Sequence, residues 1–68
     1  MSEETIVTHW EELRVMVELL DKEVLKHASG NASAGVRARK GLRELRTVAT
    51  ALVKETLEVQ KKRDAAKK

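Results

Sequence analysis

Gly30–Lys40 reads GNASAGVRARK, and this stretch decides how the chain folds. It is where an acidic amphipathic segment becomes a basic one. Residues 1–29 carry Arg14, Lys22 and Lys26 against seven acids, a net −4, whereas residues 30–68 carry eleven cations against Glu44, Glu55, Glu58 and Asp64, a net +7. There is no proline and only three glycines in 68 residues, so long helices are interrupted only here. Gly30 is suited to a left-handed helix C-cap, and Asn31 is suited to cap the helix that follows.

Outward from this turn, both segments repeat on a heptad. Ile6, Trp10, Leu13, Val17, Leu20, Val24 and His27 step by four and three residues along the first. Ala38, Leu42, Leu45, Ala49, Leu52, Thr56 and Val59 do the same along the second. The spacing predicts a first helix over about 3–28, with Ser2 as its cap and Glu3 and Glu4 favourable in its first turn. A turn at 29–31 follows, then a second helix over about 32–64, and the run KKRDAAKK is expected to fray into a basic tail ending at 68. Gly35 and Gly41 cost helix propensity, but with Ala34 and Ala38 they form a small-residue patch that lets backbones approach closely beside the turn.

So short a turn makes the helices antiparallel. The fold class is all-α: one helical-hairpin domain over residues 1–68. Met16, Leu19, Val7 and Leu25 widen the first seam beyond what one partner helix covers, which predicts a homodimer forming a four-helix bundle, with a tetramer as the rival. Glu4, Glu11 and Glu18 recur every seven residues and are placed to pair with basic residues of a neighbouring helix.

The composition excludes several classes. With no cysteine there are no disulfides, no thiolate chemistry and no thiolate metal ligands, consistent with a reducing cytoplasm. No apolar run approaches the ~20 residues that span a bilayer, and the acidic start MSEETIV lacks the basic opening of a secretory signal. The reading is a soluble cytoplasmic protein without a membrane partner.

The charge of the second helix has a direction. At about 100° per residue, Arg39, Lys40, Arg43, Arg46, Lys54 and Lys61 fall largely opposite the seam, and Thr47 and Thr50 lie nearby as hydroxyl donors. Glu44, Glu55 and Glu58 stand at the edge of the stripe. A cationic rod suits a regularly charged polyanion, because Lys and Arg release counterions condensed on DNA. Arg39, Lys40, Arg43, Arg46 and Lys54 are the expected phosphate contacts, extended by Lys61, Lys62, Arg63, Lys67 and Lys68. Arg37 projects to the edge of the seam and is expected to pair with Glu23 or Asp21 across the hairpin. No base-reading arrangement is visible, so little sequence preference is expected.

Little else suggests chemistry. His9 and His27 stand eighteen residues apart, roughly 27 Å along one helix, too far for a shared metal site within a chain. Ser29 and Ser33 flank the turn without a base or acid, and no phosphate-cradling glycine motif is present. Trp10, which could stack a base, lies in the seam and reads as packing. The expectation is a non-enzymatic protein with no cofactor, metal or small-molecule substrate.

GNASAGVRARKGLRELRTVA resembles the chlamydial linker-histone-like family of small bacterial nucleoid proteins. Gly30, Asn31, Ala34, Gly35, Arg37, Arg39, Lys40 and Leu45 match that family's Gly-Asn turn, small residues and Arg-x-Arg-Lys cluster leading into a leucine-bearing helix. The resemblance covers about the last two thirds of the chain, through KETLEVQKK. It implies non-specific binding to double-stranded DNA and a part in nucleoid compaction. The acidic first helix implies that compaction takes several stripes together in an oligomer. RNA is a further candidate, since phosphate contacts do not distinguish the polymers. The competing reading is a small coiled-coil interaction or scaffold module whose charges only solvate it.

Overall fold

In the computed structural model, which describes residues 3–66, two helices form an antiparallel hairpin: α1, Glu3–Ala28, and α2, Ala32–Ala66. The Ser2 cap expected from the sequence lies outside the described residues, as do Lys67 and Lys68. The molecule is a rod of 57 × 14 × 13 Å. Its long dimension is close to the ~52 Å that 35 helical residues span at 1.5 Å each.

Gly30 and Asn31 take the two capping roles expected of them. Gly30 adopts φ 109°, a left-handed value that costs a residue with a side chain about 1–2 kcal/mol. Its N–H donates to His27 O at 2.9 Å, and Asn31 N–H reaches back to Lys26 O at 3.1 Å, the two bonds of a Schellman motif. Asn31 Oδ1 then accepts from Ala34 N–H at 2.9 Å and caps α2. The carbonyl of Asn31 takes the His27 Nδ1–H at 3.2 Å, which ties the end of α1 to the start of α2.

Beyond the turn, the small-residue patch sets the approach of the helices. Ala34, Gly35 and Ala38 are buried, and a Cβ on Gly35 would overlap the His27 ring. A Cβ on Gly41 would likewise overlap Leu20 Cδ2. Contact at Gly41 instead of Leu42 turns α2 about its axis, and the interhelical faces differ from the most apolar seams. On α1 the half-buried residues include Ile6, His9, Leu13, Met16, Leu20 and Glu23. On α2 the buried and half-buried ones include Ala34, Ala38, Gly41, Leu45, Val48, Leu52, Glu55 and Val59. Ile6, Leu13, Leu20, Leu45, Leu52 and Val59 therefore lie between the helices as read from the sequence. Trp10, Val17, Val24 and Leu42 do not: they are 52%, 49%, 42% and 48% exposed. The physical reason is steric, because a glycine opposite Leu20 brings the axes closer than Leu42 would allow.

Polar pairs take part in the join. Glu55 is 4% exposed, and its Oε1 lies 2.7 Å from His9 Nδ1. Arg37 Nε donates to Glu23 Oε2 at 2.8 Å, the cross-hairpin pair expected at the turn end. At the open end Arg63 pairs with Glu3. Lys61–Ala66 remain helical, with Gln60 Nε2 donating to Asp64 Oδ1 at 3.0 Å, whereas the sequence suggests fraying there.

The close approach at Gly41 is open to test. Gly41→Leu should destabilise the hairpin by about 1–3 kcal/mol, since an isobutyl group must force the helices apart; urea unfolding followed by circular dichroism reads it, and an unchanged midpoint would refute the close approach. The join should also respond to pH through His9, whose pKa lies above its ordinary 6.5 because the Glu55 hydrogen bond raises it, against partial burial and with help from the charges of Glu55 and Glu12. A raised folded-state value means that this stabilisation is fully present below the unfolded value and fades as pH rises through the folded one. The urea midpoint should therefore be higher near pH 6 than near pH 8.5, and His9→Gln should remove the difference.

Candidate nucleic-acid interface

Because α2 turns its small residues towards α1, Arg39, Lys40, Arg43, Arg46, Lys54 and Lys61 face the other way, whereas Lys62, three residues after the buried Val59, continues the inner row. Arg39, Lys40, Arg43, Arg46, Lys54, Lys61 and Lys62 are all exposed, and among the described residues none of them enters an ion pair. From Arg39 to Lys61 the row runs about 33 Å, close to one helical turn of a DNA duplex, ~34 Å. It faces solvent along one side of a rigid rod, so its spacing is preset by the helix and not by a loop.

Two cations stand apart. Arg63, expected in the footprint, is engaged with Glu3, and Arg37 is engaged with Glu23 at the seam. The threonines are also differently occupied from the sequence reading. Thr47 Oγ1 donates to Arg43 O at 3.1 Å and Thr50 Oγ1 to Arg46 O at 2.9 Å, so their protons are committed to their own helix. Their hydroxyl oxygens remain acceptors, which a phosphate cannot use.

Glu55, read from the sequence as an edge residue of the stripe, is withdrawn into the seam beside His9. That removes a carboxylate from the neighbourhood of Lys54 on the exposed side. The sequence did hold a signal for it. Ile6, His9, Leu13, Met16, Leu20, Glu23 and His27 also step by three and four, as do Ala38, Gly41, Leu45, Val48, Leu52, Glu55 and Val59. Ranking by apolarity passes over these rows because each includes polar or glycine positions.

His9 and His27 lie at opposite ends of α1, one on Glu55 and the other on the Asn31 carbonyl. Trp10 does not border the stripe: with Ile6, Leu52, Val53 and Thr56 it lines an open depression on one face of the hairpin. The acids of α1 occupy the far side of the rod, with Glu4, Glu11 and Glu18 exposed. The hairpin thus has a basic edge along α2 and an acidic edge along α1.

No curated protein and no solved structure matches the chain. The family model of the histone H1-like protein Hc1 matches residues 8–62, which takes in most of α1, the turn and nearly all of α2. With more than three quarters of its length in that match, the chain belongs to the histone H1-like Hc1 family.

Proposed function

We propose that this DNA-binding, nucleoid-associated protein grips double-stranded DNA through the outer edge of α2, without reading its sequence. The observation that carries the reading is the row of exposed cations without ion pairs, Arg39, Lys40, Arg43, Arg46, Lys54 and Lys61, on the side of α2 away from α1. Membership of a histone H1-like family supplies the polyanion. The row supplies the means: guanidinium and ammonium groups replace condensed counterions, and the arginines bind phosphate oxygens in pairs. Nothing along the row resembles a set of side chains presented to base edges, so affinity follows charge and not sequence.

Arg63 and the terminal Lys67 and Lys68 extend the footprint, Arg63 once it leaves Glu3. The protein acts as a self-associated unit in the cytoplasm, on the nucleoid; no described helix is long and apolar enough to cross a membrane. Several hairpins together present several rows, which offsets the acidic charge that α1 brings to each copy.

Replacing Arg39, Lys40 and Arg43 together with alanine should weaken binding equally on duplexes of unrelated sequence. It should also reduce the slope of log affinity against log salt by about 2.7, at ~0.9 for each phosphate no longer neutralised. Fluorescence anisotropy with labelled duplexes at a series of salt concentrations reads both. Unchanged affinity in the triple variant would refute the stripe, and weakening on only one sequence would refute the absence of base reading.

A further inference from the structure

The two broad faces of the hairpin differ. One is crossed by His9–Glu55 and Glu23–Arg37 and carries Glu12, Glu44 and Lys62. The other is apolar. Trp10, Val17 and Val24 lie roughly a quarter-turn from the inner side of α1, and Leu42, Ala49 and Thr56 lie the same way round on α2, with Val53 beyond them at the edge. In an antiparallel pair those rotations bring both rows to the same face. The depression shared by Trp10, Val53 and Thr56 shows them meeting there. Both rows repeat near every seventh residue, the spacing by which helices pack into bundles.

This face is too costly to leave in water. The only buried hydrophobic residues are Ala34, Ala38 and Val59 among those described, and no large side chain is fully buried. The hairpin exposes 5424 Å², whereas a globular chain of 7.7 kDa exposes about 4,300 Å². The surplus of about 1,100 Å² is on the scale that a standard interface removes from each partner, ~800 Å².

We infer that a second copy of this chain packs on the Trp10–Val17–Val24–Leu42–Ala49 face, with the two turns at the same end of the bundle. The inference rests on the self-association in the proposed function and adds its face and orientation. Charge selects the orientation. A two-fold axis along the rod sets α1 of each copy over α2 of the other; an axis across the rod sets α1 over α1 and α2 over α2. The second arrangement lays acidic edge on acidic edge and basic on basic. The first brings opposite charges together. Within one hairpin Leu20 stands beside Gly41 and His9 beside Glu55. With the turns together, Asp21 therefore comes level with the second copy's Arg39 and Glu18 with its Arg43, against one like-charged level, Arg14 with its Arg46; Lys40, Lys54 and Lys61 lie on the opposite flank of α2 and stay open to phosphate. Each helix then has antiparallel neighbours, and the two basic rows face opposite sides of the bundle.

The chain has no cysteine, so Ser29→Cys at the exposed turn gives a single labelling site. Spin-labelled protein without DNA is examined by sedimentation velocity and by double electron–electron resonance. A dimer with a turn-to-turn distance of about 20–30 Å, two to three helix diameters, is expected. A monomer, or a distance approaching the 57 Å length of the rod, would overturn the inference. Val17→Asp should raise the dimer dissociation constant at least about tenfold by placing a charge in the interface; unchanged dimerisation would show that the face is wrong. Because neither measurement contains DNA, failure here is separate from failure of the stripe, which the anisotropy titration reads on its own.

Discussion

The distance between α1 and α2 at the turn governs the rest of the molecule. It is set by Gly30 in a left-handed conformation, by the Asn31 cap, and by the absence of side chains on Gly35 and Gly41. Without a side chain at 41, Leu20 fills the space and the axes draw in. Once that contact is made, the rotation of α2 is decided, and with it which residues meet α1 and which meet solvent. A leucine at the same level would have turned α2 and carried the arginines with it.

From that rotation comes an uneven distribution of chemistry around the rod. The inner side is built from alanine, glycine and single aliphatic residues, together with a buried carboxylate held by histidine. Burying Glu55 is tolerable because a donor meets it at hydrogen-bond distance; an unpaired carboxylate there would carry a desolvation cost of several kcal/mol. The same hydrogen bond holds the His9 pKa above its ordinary 6.5. One broad face is bridged by ion pairs and carries mainly polar residues with Leu19, and the other carries Trp10, Val17, Val24 and Leu42 uncovered.

The edges carry the electrostatics. Acidic α1 and basic α2 lie side by side, yet their charged rows point away from each other, so a hairpin of modest net charge, +3, still presents a strongly positive edge. For a polyanion at a range of a Debye length, ~8 Å at physiological salt, the near edge matters more than the total.

The sequence by itself determined the two helices, their turn and the sign of each half. These depend on local chemistry: a glycine that tolerates positive φ, an asparagine that caps, a heptad of apolar residues, and charges that segregate at residue 30. It also placed Arg37 beside Glu23 and set the basic row of α2 opposite a seam. The tertiary structure decided which of two equally periodic rows became the seam. Trp10, Val17, Val24 and Leu42 were the more hydrophobic choice, but His9, Met16, Glu23 and Gly41 were the closer-packing one. Periodicity and hydrophobicity are properties of one helix, whereas close packing and the pairing of Glu55 with His9 are properties of two helices at a given distance, and only the fold sets that distance.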